Sequence, residues 1–239
     1  MIERELAIST QDGAMETFIV HPERRGPHPV VLFFMDAPGI REELRDMARR
    51  IAAVGAYVML PNLYYREGVK ELSGAPRERY MELMESLSIP KVMSDAAALI
   101  SFSESDAAAK DGPMAAIGYC MSGQYAIAAA AKWPDRVAAA ASLHGVRLVT
   151  EADDSPHRLA AGAKGELYFA CAEKDPWAPL PMVSELKEAL AATDLVAEVE
   201  IYPGAEHGFA FPARPAYDKP SAERHWERLF ALFARRLGT

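Results

Sequence analysis

The sequence predicts an α/β protein with a mostly parallel central sheet and helices on both faces. Three observations carry this. Short apolar runs rich in Val, Ile and Phe alternate with longer segments of helical period, the pattern of βα units. The runs, Pro29–Met35 (PVVLFFM) above all, are continuous, as strands covered on both faces must be. Finally, 239 residues without a linker or internal repeat read as one domain, residues 1–239.

Glu3–Ser9 and Met15–Val20 read as an antiparallel pair at an edge, and Pro29–Met35 as the first buried strand. Glu42–Val54 follows with Leu44, Met47, Ala48 and Ile51 on one helical face, and Gly55 ends it. Ala56–Leu60 is the next strand. Arg77–Leu87 reads as a helix, and Pro90 suits the first turn of another reaching about Phe102. Met114–Ile117 is a short strand, Met121–Ala131 a helix and Val137–Leu143 a strand. Thr150–Gly165 has no clear period. Glu166–Ala170 is a strand, Pro181–Ala191 a helix and Val196–Tyr202 a half-exposed strand. The chain closes on a helix from Tyr217, with Trp226, Leu229, Phe230 and Phe233 on one face.

Composition narrows the function. The formal net charge is -8, so the surface repels phosphate backbones and nucleic acid is not an expected partner. The two cysteines, Cys120 and Cys171, are too few for a disulfide framework and suit a reducing compartment. Met1–Thr10 lacks the basic start and apolar run of a signal peptide. No apolar run approaches the roughly 18 residues of a membrane span. A cytoplasmic protein is expected. No His/Cys/Asp cluster has metal-ligand spacing, so neither metal nor organic cofactor is expected.

The most informative stretch is Gly118-Tyr119-Cys120-Met121-Ser122-Gly123, between a short strand and an alanine-rich helix. This is a nucleophile elbow with cysteine in the place where serine is commoner. A tight strand-to-helix turn needs small neighbours, which Gly118, Ser122 and Gly123 supply. It also sets the sulfur at a helix N-terminus, where partial positive charge favours an anion. Partners follow in the order nucleophile, acid, histidine. Asp175 lies in the loop after Glu166–Ala170, and His207 after the strand ending at Tyr202. All three sit at the carboxyl edge, where open α/β sheets bind ligands. Glu173 is the competing acid, with Asp175 preferred. His21, His28 and His225 read as surface residues, and His144 as a hydrogen-bonded structural histidine near the same edge. His157 is a weaker candidate for the pocket, and Cys171 packs beneath the acid loop. Oxyanion donors fall to the N–H groups of Met121 and Ala37, because Pro38 has none.

These residues resemble the dienelactone hydrolases (carboxymethylenebutenolidases), small enzymes of the α/β-hydrolase fold. The resemblance spans most of the chain. It rests on Gly118–Gly123, the loop around Asp175, His207-Gly208-Phe209 before a terminal helix, and Pro61-Asn62-Leu63-Tyr64. It implies a Cys120–Asp175–His207 triad that hydrolyses a small ester or lactone through a thioester. It also implies that a carboxylate after an early strand, here Asp36, contacts the resting thiol. A pocket with Tyr64, Tyr119, Phe211 and an arginine, Arg79 or Arg77, goes with it. Asp36 stands where glutamate is usual and Ser122 where glycine is usual. Phe211 stands where members acting on dienelactone carry an arginine, with Arg214 only later, so dienelactone itself is not the expected substrate. A monomer or homodimer is expected, with no membrane partner. The alternative is a binding or redox-responsive module that keeps the fold without turnover. Ser122 as nucleophile is disfavoured because it lies within the helix rather than at the turn.

Overall fold

The computed structural model describes residues 1–72 and 74–239. Its core is a sheet in the order β1-β2-β4-β3-β5-β6-β7-β8. β1 (Ile2–Thr10) and β2 (Gly13–His21) form an antiparallel ribbon, and β2 also pairs antiparallel with β4 (Tyr57–Pro61). β3 (His28–Phe34), β4, β5 (Ala109–Tyr119), β6 (Val137–Leu143), β7 (Glu166–Lys174) and β8 (Ala197–Glu206) run parallel. Every residue of β3 is buried, which is why its sequence shows no alternation.

The helices are α1 (Glu42–Ala53), α2 (Arg77–Ser86), α3 (Ile89–Ser105), α4 (Gly123–Lys132), the one-turn α5 (Pro156–Leu159), α6 (Leu180–Ala191) and α7 (Lys219–Leu237). α1 packs on β2 and β4, and α7 on β5, β6 and β7; the two meet where Arg50 reaches Glu223 at 2.7 Å. α3 and α4 pack on each other and on β5. α1 buries the predicted face of Leu44, Met47, Ala48 and Ile51, each leucine or isoleucine contributing about 1.5–3 kcal/mol. The Ser88 side chain accepts from the Lys91 N–H to start α3, and Asp218 accepts from the Ser221 N–H to start α7. Among the described residues, no helix is long and apolar enough to cross a membrane.

The differences from the sequence reading have local causes. β5 begins at Ala109 because its polar first half pairs with the start of β3, which an apolar-run signal cannot see. β7 and β8 continue to Lys174 and Glu206, which pair beyond the apolar stretch. α4 begins at Gly123, because Cys120–Ser122 form a separate 3₁₀ turn. Thr150–Gly165 holds α5 and a 3₁₀ turn, Ala160–Gly162, both too short to show a period. His21, His28 and His225, expected at the surface, are buried. His21 stacks on Tyr57 with ring centres 5.4 Å apart. His28 Nε2 hydrogen-bonds the Pro22 carbonyl at 3.1 Å. His225 sits on the inner face of α7, where the Tyr119 hydroxyl meets its Nε2 at 3.0 Å.

Parallel direction delivers five polar residues to one edge. Asp36 lies just past β3, and Cys120, His144, Asp175 and His207 directly follow β5, β6, β7 and β8.

Candidate active site

Cys120 has φ of +54°, a left-handed conformation that costs a non-glycine residue about 1–3 kcal/mol. The sheet enforces it. Gly118 is pinned between Phe34 of β3 and Ser142 of β6, and the chain must turn at once into α4. The turn folds back so tightly that a Cβ at Gly118 would stand 2.0 Å from the Ser122 carbonyl oxygen. A Cβ at Gly123 would stand 2.7 Å from the Gly145 Cα. Ser122 is tolerated because it is fully buried with its hydroxyl satisfied, donating to the Met35 carbonyl.

The turn brings the Cys120 sulfur 3.2 Å from His207 Nε2. His207 Nδ1–H donates to Asp175 Oδ2 at 2.7 Å. Asp175 Oδ1 accepts the N–H groups of Trp177 at 2.9 Å and Ala178 at 3.3 Å, so both its oxygens are held. The competing acid, Glu173, is exposed and accepts the Gly204 N–H. Burial alone would lower the His207 pKa. The hydrogen bonds and charges of Asp175 and Cys120 outweigh it and raise it to about 10. The imidazole is thus strongly disposed to take a proton from the neighbouring thiol.

Two backbone segments flank the sulfur. Among the described residues, the Ala37 N–H has no acceptor, leaving it free to donate. The Tyr64 hydroxyl lies 3.0 Å from the Ala37 carbonyl and 3.2 Å from Met121 Sδ. Tyr64, fully buried, therefore braces both segments rather than lining a pocket.

Cys120 and His207 open onto a cavity of about 760 Å³. Ala37, Arg41, Arg77, Trp177 and Arg214 also line it. Several of the other expected pocket residues lie elsewhere. Arg79 pairs with Glu82 at 2.6 Å and does not line the cavity, while Arg77, two residues earlier on α2, does. Tyr119 is buried among Phe33, His144, Phe211 and His225. Phe211 is buried beneath the guanidinium groups of Arg41 and Arg214, at 5.2 and 4.7 Å. Arg214, expected too late in the sequence, reaches the cavity wall. Asp36 does not meet the thiol: among the described residues no hydrogen bond joins them. Its carboxylate is held by Arg41 at 2.6 Å and Arg214 at 2.5 Å.

His144 is fully buried against His207, with ring centres 4.9 Å apart. Contrary to expectation, neither ring nitrogen has a hydrogen-bond partner among the described residues. Burial first, then the nearby charges of His207 and Arg214, hold its pKa well below the usual value. His157 is turned to the Ser155 hydroxyl at 2.8 Å. Sequence reasoning missed Arg41, Trp177 and most of α2. The signal was present: Arg77, Tyr80, Met81 and Met84 stand at i, i+3, i+4 and i+7, one helical face.

Residues 15–237 match the model of the dienelactone hydrolase family. A protein of Methylorubrum extorquens, provisionally named a carboxymethylenebutenolidase, is 28% identical over 96% of this chain and 79% of its own length. A Bradyrhizobium protein, provisionally named a 2-oxo-3-(5-oxofuran-2-ylidene)propanoate lactonase, is 27% identical over 92% of this chain and 88% of its own. The crystal structure of a provisionally named dienelactone hydrolase from Klebsiella pneumoniae superposes with a TM-score of 0.90 at 26% identity, covering 98% of each chain.

Proposed function

We propose a reaction for this chain from one premise: it belongs to the dienelactone hydrolase family. It is a hydrolase of carboxylic ester or lactone bonds, carboxymethylenebutenolidase-like. Residues 1–239 act as one catalytic domain, with Cys120 as nucleophile, His207 as base and Asp175 as the group that orients it. The observation that carries this reading is the unbroken relay from sulfur to imidazole to carboxylate, 3.2 Å and 2.7 Å, at the wall of a cavity.

His207 Nε2 holds the proton drawn from the thiol as sulfur attacks the carbonyl carbon. The N–H groups of Ala37 and Met121 hold the negative oxygen that forms, and removing one such donor typically costs about 10²–10³ in rate. The carbonyl reforms as the C–O bond breaks, and His207 gives its proton to the departing alkoxide. From a lactone, that alkoxide stays tethered to the acyl group. Water then enters, His207 removes its proton, and hydroxide attacks the thioester. The thiolate leaves and regains its proton from His207. Asp175 holds the imidazole so that Nε2 faces the sulfur throughout.

The test is Cys120→Ala assayed on p-nitrophenyl acetate and simple lactones. The expected result is a fall in kcat of about 10⁴-fold or more. Turnover equal to wild type would falsify the assignment.

A further inference from the structure

We infer that the cavity selects esters and lactones carrying a bulky, uncharged apolar group, seated against α2 and Trp177. This rests on the hydrolase reading of the same site and adds the substrate class.

Size is the first argument. About 760 Å³ lies in the range of cavities that enclose drug-sized ligands, far more than a small lactone ring fills. Chemistry of the wall is the second. Tyr80, Met81 and Met84 on α2 line the cavity, as does Trp177 from the loop that carries Asp175. Methionine side chains are unbranched and polarizable, so they adapt to varied apolar shapes and to aromatic rings. The third argument is charge. Two of the three arginines on the wall are already engaged. Arg41 is paired with Asp36 and Glu43, each at 2.6 Å, and Arg214 with Asp36. A substrate carboxylate would have to compete with Asp36, whose side chain is fully buried between them. Arg77, the third, is stacked over the Trp177 ring, its cation 5.1 Å from the ring centre. Continuity is the fourth: the same cavity reaches the Cys120 sulfur, so a group seated on this wall belongs to the molecule being cleaved.

The experiment measures kcat/KM for p-nitrophenyl acetate, butyrate, hexanoate and the mono-succinate ester. The expected result is a rise of about fourfold per added methylene. The succinate ester, close in size to butyrate but anionic, should be slower by about tenfold. Met84→Asp should collapse the hexanoate-to-acetate ratio, and Met84→Leu should restore it. Acetate turnover with no gain from acetate to hexanoate, or a preference for the succinate ester, overturns the inference while leaving the hydrolase reading intact. Loss of turnover on every ester would instead strike that reading. The subsite is then decided by titrating 4-nitrophenyl hexyl ether into Cys120→Ala protein and following tryptophan fluorescence. Saturable quenching that Met84→Asp weakens by about tenfold supports the subsite; absence of saturable quenching overturns it.

Discussion

Cys171 lies within β7, 2% exposed, with its thiol pushed up to about 12 mainly by burial. Cys120 is 8% exposed, and its sulfur sits 3.2 Å from an imidazole. Both stand near the acid loop, and both look like small buried hydrophobes by exposure alone. What separates them is backbone. Cys171 holds extended geometry inside a paired strand, where its side chain can only pack. Cys120 stands one residue past the end of β5 with positive φ, which lifts its sulfur off the sheet and into the cavity. In the proposed mechanism, Cys120 is set apart by the turn and by the partner it reaches, not by residue type.

The comparison can be broken at its partner first. Asp175→Asn keeps the shape but removes the charge that orients His207, and kcat on p-nitrophenyl acetate should fall about 10⁴-fold. The turn itself comes next. Gly118→Ala sets a methyl group against the Ser122 carbonyl, a backbone atom that cannot move aside, and should destabilise the fold by about 3 kcal/mol in urea unfolding.

A smaller effect comes from pH. The folded pKa of His207, about 10, lies above its unfolded value near 6.5. Its protonation therefore stabilises the fold fully below about pH 6.5, and the effect fades as pH rises through 10. The gap in Tm between wild type and His207→Gln should be widest near pH 6 and close by about pH 10.5. His144 has the opposite sign. Its folded pKa is depressed, so its stabilising effect holds above about pH 6.5 and is lost as the solution acidifies. His144→Phe should gain on wild type by a few degrees, about 2–4 °C, as pH falls from 6.5 to 5. At the inert end, Cys171→Ala should leave kcat within about twofold of wild type, measured on the same ester.

The strands, the elbow and the order of Cys120, Asp175 and His207 were legible because each is written locally, in apolar runs, small residues at a turn and loops after strands. Burial of His21, His28 and His225 was not, because it depends on distant partners such as Tyr57 and Tyr119. The role of Asp36 was misplaced for a similar reason. Arg41 lies five residues away in the same loop, but Arg214 stands 178 residues further along the chain, and only the fold brings it to the carboxylate. Of the two arginines the sequence offers, Arg77 lines the cavity while Arg79, two residues on, pairs with Glu82 instead.

The most direct test of the account is to trap the acyl-enzyme. Protein mixed with p-nitrophenyl acetate, quenched in acid within the first turnovers and digested should yield the Cys120 peptide carrying the acetyl mass, with none on Cys171 or Ser122. Full turnover with the acetyl group on Ser122, or with Cys120 never modified, would contradict it.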